Sequence, residues 1–223
     1  MRREYLLRTI WAVLTLTALW AAATGRWPMA FVSLAVVGLS LLPRVAAARF
    51  GIALPIGFVI WTTGFLFASL FLGEVFDFYD RVWWWDLALH GTSAVGFGLI
   101  GFIFIFMLFE ADRYAAPAIS VSFFAVCFAI SIGTVWEIVE YGMDQLFGLN
   151  MQRTGLDDTM GDLMLNFLGA VIAGATGFLY LKGRETGALS GLIGEFVRLN
   201  RRLHARARER RRKRAIRITA CSR

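Results

Sequence analysis

The fold of this chain is decided by residues 115–144, which read AAPAISVSFFAVCFAISIGTVWEIVEYGMD. Up to Trp136 the stretch is almost wholly apolar, and it is long enough to cross about 30 Å of hydrocarbon as a helix. Its end carries the carboxylates of Glu137, Glu140 and Asp144, which fall within roughly 60° of one another around a helix. The stretch therefore predicts a membrane-spanning helix that ends in an acidic stripe.

Five further apolar runs of similar length occur along the chain, which is 58% hydrophobic. Lipid offers the backbone no hydrogen-bond partners, so runs of this length form helices. Their apolarity on all sides also excludes the alternating pattern of an outer-membrane barrel. We therefore predict an all-α, polytopic transmembrane helical bundle of about six spans. The predicted spans are 6–24, 28–48, 52–72, 87–109, 115–141 and 159–181.

Basic residues are concentrated at the C-terminal end. From Lys182 onward there are 14 Lys+Arg against 3 Asp+Glu, whereas the rest of the chain has 9 against 13. We therefore predict a transmembrane helical bundle at 1–182 and a basic cytoplasmic amphipathic tail at 183–223. Lys and Arg mark the cytoplasmic side of a membrane protein. Their distribution between alternate loops predicts a multi-pass protein with both termini cytoplasmic.

The start of the chain allows a second interpretation. Arg2 and Arg3, a short apolar stretch and the alanines at 21–23 are also typical of a cleaved signal peptide. Cleavage would leave five spans in the same orientation, so the acidic stripe would still face the same side of the membrane.

The tail combines an apolar helical face with a run of arginines. Apolar residues at 189, 192, 193, 196, 197 and 203 have the spacing of an amphipathic helix, and an arginine-rich run at 206–217 follows. We expect the tail to bind anionic lipid headgroups on the bilayer. A contact with nucleic acid or protein is the alternative. Because the run has no interleaved aromatic residues, no nucleic-acid partner is expected.

Two other spans bring polar residues to the same side of the membrane as the acidic stripe. Asp86 and His90 lie one turn apart at the start of the fourth span. Asp158 and Asp162 open the sixth span, and Asn166 follows one turn later. Asp86 or Asp158 alone fits an N-cap. Capping does not explain three acids at a helix C-terminus, because that end prefers cations and like charges repel.

Such a stripe needs compensation by a proton, by a basic side chain such as His90 or Arg153, or by a metal ion. Acids that are simply solvated at the membrane boundary are the plainer alternative. We interpret the group as a divalent-cation site open to the non-cytoplasmic face. Oxygen-rich ligands with one histidine suit Mg²⁺, Mn²⁺, Ca²⁺ or Zn²⁺. The predicted metal ligands are Glu137, Glu140, Asp144, Asp158 and Asp162.

Small residues follow these polar groups on two spans. Ala94, Gly98 and Gly101 come after His90, and a series of Gly and Ala lies at 169–177. Small residues let membrane helices approach closely. We therefore expect the polar groups to form a cup whose floor is made of closely packed helices.

The polar residues stand in a recurring order: Asp86-x-x-x-His90, Glu137-x-x-Glu140, Arg153 and Asp162-x-x-x-Asn166-x-x-Gly169. This order resembles the VanZ-like membrane proteins and, more closely, a related bacterial inner-membrane family of unknown function. The resemblance covers roughly residues 73–180. It implies a bacterial inner (plasma) membrane location, with envelope lipids or peptidoglycan precursors as substrates. Glu140 stands where VanZ-like proteins usually carry Gln.

Three functions fit this site. The first is a metal-dependent membrane enzyme that hydrolyses or modifies an envelope lipid or lipid-linked substrate. In it His90 is a ligand or general acid/base, Asp86 orients that imidazole, and Arg153 contacts a phosphate or other anion. The alternative is a non-enzymatic accessory or structural subunit whose ionic cluster locks the helices. A transporter fits least, because the acids lie on one side only.

Overall fold

The computed structural model describes residues 2–109, 116–184 and 187–200. Within these ranges, six helices are long and apolar enough to cross a membrane, which confirms the predicted all-α bundle and its number of spans. The predicted span limits agree to within four residues, except that the fifth span continues to Phe147. Leu203 and the arginine-rich run at 206–217, which belong to the predicted tail, lie outside the described residues.

The chain forms two compact units, Met1–Thr92 and Ser93–Arg223. The predicted boundary between the membrane bundle and the tail, at residue 183, differs from this division and stays a prediction. The core of the first unit contains Leu14, Val36 and Phe71. Its helices are α1 (Arg2–Ala23), α2 (Trp27–Arg49), α3 (Ile56–Leu66) with a π-helical continuation (Phe67–Val75), α4 (Phe78–Arg81) and the start of α5 (Trp85–Phe109).

The third span changes from α-helix to π-helix, which its sequence did not predict. The Ser69 hydroxyl and the Tyr79 hydroxyl are hydrogen-bonded at 3.0 Å, and the Trp85 indole N–H donates to a carbonyl of the π-helical segment at 3.3 Å. The Tyr79 ring occupies the space where Gly73 has no side chain. These contacts fix α4 and the first turn of α5 against the third span.

The second unit contains the rest of α5, α6 (Ala118–Phe147), α7 (Leu156–Leu181) and α8 (Ala188–Leu199). The expected close approach of helices at small residues is observed here. Gly98 of α5 lies against Ala129 and Ala173, and Gly174 of α7 lies against Val126. The residues that form the buried core are Leu99, Phe102, Val121, Ala125, Ala173 and Ile193.

The amphipathic tail helix begins at Ala188 and ends at Leu199 in the structure. Ile193 and Phe196 on its apolar face are buried, and Ile193 belongs to the core that α5, α6 and α7 form. The apolar face thus has a protein partner in the second unit. Binding of anionic lipid by the arginines that follow stays a prediction.

Candidate functional site

The acidic end of the second unit is where α6 ends and α7 begins. α6 ends at Phe147 and is capped by Gly148, whose φ of +66° lies in the left-handed region that favours glycine. An eight-residue loop, 148–155, then leads into α7. Because the chain reverses here, the last turns of α6 lie beside the first turns of α7.

Three buried carboxylates meet at this end. Glu137 and Glu140 of α6 and Asp162 of α7 are 4%, 7% and 1% exposed. Each offers a carboxylate oxygen, and these oxygens lie within 4.8 Å of one another. Oxygens on opposite sides of a divalent cation are about 4–5 Å apart, given metal–oxygen distances of about 2.0–2.6 Å. We call Glu137, Glu140 and Asp162 the acidic triad.

The triad concentrates negative charge where water is scarce. Two carboxylates about 4.5 Å apart repel by about 4 kcal/mol at an effective dielectric constant of about 20. Three of them in one buried group therefore need a compensating proton or positive charge. The donor set, all oxygen within the second unit, suits a hard divalent cation better than a thiolate-binding metal.

Two neighbours of the triad did not emerge from sequence reasoning as site residues. The indole N–H of Trp136 donates to Glu140 Oε1 at 2.8 Å and so fixes that carboxylate. Gly133, one turn before Glu137, lies against the side chain of the buried Asn166. Both neighbours could have been found from the four-residue spacing in the sequence. This spacing places Trp136 on the same helix face as Glu140, and Gly133 on the same face as Glu137.

Asp144, the third acid of the predicted stripe, binds the loop. Its Oδ1 accepts a hydrogen bond from the backbone N–H of Met151 at 2.7 Å, and its Oδ2 accepts one from that of Gln152 at 2.9 Å. Asp144 does not belong to the triad, and both of its oxygens serve to anchor the loop. Its predicted role as a metal ligand stays a prediction.

The same loop is also tied to α7. The backbone N–H of Arg153 donates to Asp158 Oδ2 at 3.3 Å, and the side-chain amide of Gln152 donates to the hydroxyl of Thr159. A carboxylate oxygen of Asp158 lies within 4.8 Å of one of Asp162. Asp158 therefore stands between the triad and the loop that carries Arg153.

The remaining predicted site residues, Asp86 and His90, lie in the first unit at the start of α5. His90 is buried, and its Nε2 lies 3.5 Å from Asp86 Oδ1. This is an ion-pair distance, and orientation of the imidazole by Asp86 stays a prediction. α5 continues without interruption from this pair to Phe109.

The chain belongs to the family described as "Predicted membrane protein (DUF2238)", whose model matches residues 4–183. An uncharacterized protein of Thermotoga maritima is 28% identical over 104 residues, which are 47% of this chain and 53% of that protein. The matched region thus spans about half the length of this relative. No solved structure matches the chain. The family fits the predicted resemblance to membrane proteins of unknown function, and the VanZ-like relation stays a prediction.

Proposed function

We propose that this protein is a membrane-embedded enzyme of the bacterial inner membrane that binds a divalent cation at the acidic triad. It would use this cation to hydrolyse or modify an envelope lipid or a lipid-linked substrate at the non-cytoplasmic face. The observation that carries the proposal is the burial of three carboxylates from two helices with oxygens within 4.8 Å of one another. Such a group is costly to maintain unless a proton or a cation compensates its charge, and a divalent cation compensates two carboxylates at once.

The ligand set we propose begins with Glu137, Glu140 and Asp162. Asp158, beside Asp162, is the proposed outer ligand. A bound divalent cation would supply Lewis-acid activation of a phosphoryl group or of water. Trp136 supports this assignment, because its hydrogen bond holds Glu140 in place.

His90 is the proposed nitrogen ligand or general acid/base, and Asp86 would orient it. Arg153 is the proposed contact for an anionic group of the substrate, since its guanidinium suits phosphate. The hydrogen bond between its backbone N–H and Asp158 supports a fixed position for it.

The second candidate function is a non-enzymatic accessory subunit in which the acids only lock the helices together. The observation that favours it is the role of Asp144, whose carboxylate accepts two backbone hydrogen bonds from the loop. Acids at this end of the unit therefore have structural uses as well. Metal content and turnover distinguish the two candidates.

The test is metal analysis by mass spectrometry on the full-length protein purified in detergent without chelators. We expect a near-stoichiometric divalent metal in the unmodified protein and its loss in the double variant Glu137→Gln/Glu140→Gln. The matched control is Asp157→Asn, which removes an exposed acid from the first turn of α7 and should retain the metal.

A well-folded protein without metal would contradict the cation site and favour the accessory subunit. A metal-loaded protein that releases no product from any lipid-linked phosphate or pyrophosphate substrate would contradict the enzyme but leave the cation site standing. In the enzyme, Glu140→Gln should abolish product release while the protein remains folded.

A further inference from the structure

A pocket of about 90 Å³ lies in the first unit, where the start of α1, the end of α2 and the start of α3 meet. We call it the arginine pocket. The residues that line it are Glu4, Leu7, Arg8, Trp11, Arg44 and Ile56. A single water molecule needs only about 10–15 Å³. The pocket therefore has room for a polar group of several atoms.

The floor of the arginine pocket is apolar and held in place. Leu7 is 2% exposed, and Trp11 and Ile56 are half-buried. The indole N–H of Trp11 donates to Ser40 Oγ of α2 at 2.9 Å. Because Ser40 is itself fully buried, this hydrogen bond fixes the Trp11 ring against α2. Such a floor suits the carbon atoms of a lipid better than it suits a free ion.

The rim of the pocket carries an excess of positive charge. Arg8, Arg44 and Glu4 are exposed, and Glu4 is the single acid among the described residues that line the pocket. Arg8 Nη2 lies 4.0 Å from Glu4 Oε2, and the two side chains are 73% and 63% exposed. Ion pairs as exposed as this one contribute little to stability. Two arginines against one glutamate therefore leave the rim with a net positive charge that attracts an anion.

We propose that the arginine pocket binds the phosphate of an anionic phospholipid from the adjacent membrane leaflet. The guanidinium groups of Arg8 and Arg44 donate hydrogen bonds to the phosphate oxygens, and the Trp11 ring contacts the lipid carbons beside them. Basic pockets between membrane helices bind anionic headgroups in this way. All three helices belong to membrane spans, so the lipid enters from the bilayer. The site rests neither on the acidic triad nor on the tail.

The test titrates palmitoyl-oleoyl phosphatidylglycerol into the full-length protein in detergent and counts bound lipid by native mass spectrometry. Arg44→Gln and Arg8→Gln each remove one guanidinium from an exposed position, so both variants should fold. We expect each to lower the affinity by about tenfold, because hydrogen bonds to a charged group are lost. The matched control is Arg49→Gln, which removes the same charge from the end of α2 outside the pocket and should leave the affinity unchanged. The tail is the same in all variants, so lipid bound there does not affect the comparison.

Glu4→Gln gives a prediction of opposite sign. Loss of the acid from the rim removes its repulsion of the phosphate, so the affinity for phosphatidylglycerol should rise. An unchanged or lower affinity would contradict anion binding at the rim. This variant therefore separates a phosphate site from an ion pair that only holds α1 in shape.

Three further results would overturn the proposal. An equal loss of affinity in Arg44→Gln and Arg49→Gln would show a general attraction by basic residues in place of a pocket. Equal binding of phosphatidylcholine with the same chains would exclude recognition of the anionic headgroup. Displacement of the bound lipid by inorganic phosphate at the same concentration would identify a site for the free anion, in which the apolar floor has no part.

Discussion

The two ends of the α6–α7 pair use the same close approach of helices to opposite effect. Away from the acidic end, Gly174 lies against Val126 and Gly177 lies against the ring of Phe102, so apolar atoms fill the space that the glycines leave. At the acidic end, Gly133 leaves comparable space, which the amide of Asn166 fills, and Glu137 of the acidic triad follows one turn later on the same helix.

The difference separates contacts that stabilise the helix pair from a group of residues that helix packing alone does not explain. Apolar contacts at glycines favour helix association in a membrane, and nothing further is needed to explain them. Buried carboxylates add repulsion and desolvation, so packing does not account for the triad. The apolar end should therefore respond to substitution mainly through stability, and the acidic end mainly through cation binding.

The largest effect is expected from Gly174→Leu at the apolar end. The added side chain would meet Val126 and the backbone carbonyl of Ser122, which lies 3.2 Å from the position of a Cβ. Backbone cannot move aside as a flexible side chain can, so we expect a loss of about 3 kcal/mol or more. Thermal unfolding in detergent measures it, with Gly142→Leu as the control.

An equal midpoint for Gly174→Leu and Gly142→Leu would show that α6 and α7 are not held together at Gly174. It would also remove the contrast between the two ends, because the apolar end would then tolerate side chains freely.

An intermediate effect is expected from Asp144→Ala, which removes the acceptor for two loop N–H groups but leaves the residues of the triad unchanged. Two backbone N–H groups lose a charged acceptor, at a cost of about 2 kcal/mol. Hydrogen exchange at Met151 and Gln152 should accelerate, while metal content should equal that of the Asp157→Asn control. Loss of metal without faster exchange would instead identify Asp144 as a ligand.

The helical spans were predictable from the sequence, because lipid leaves a long apolar segment no alternative to a helix. The grouping of Glu137 and Glu140 was predictable from their three-residue spacing. Their approach to Asp162 followed from the short connection between two successive spans. These features follow from local periodicity and from the reversal of the chain between two spans, and both can be read from a single sequence.

Other features depend on three-dimensional contacts that the spacing of residues along the sequence does not reveal. Asp144 lies on the same helical stripe as Glu137 and Glu140, but the path of the eight-residue loop brings two N–H groups to it. The role of Gly133 requires knowledge of which α7 side chain lies opposite. The buried position of Ile193 in α8 requires a protein partner that an amphipathic pattern does not distinguish from lipid.

The smallest effect is expected from Trp136→Phe at the acidic end. The change removes the donor to Glu140 Oε1 but keeps an aromatic ring, and Trp136 only orients a proposed ligand without being one itself. We expect about a tenfold or smaller loss of Mn²⁺ affinity, with the thermal midpoint in EDTA nearly unchanged. Trp84→Phe is the matched control, since Trp84 is 47% exposed and lies in the first unit. If both variants bind Mn²⁺ equally, Glu140 is oriented without Trp136. If only Trp136→Phe binds more weakly, the acidic end depends on the orientation of its carboxylates as well as on their number.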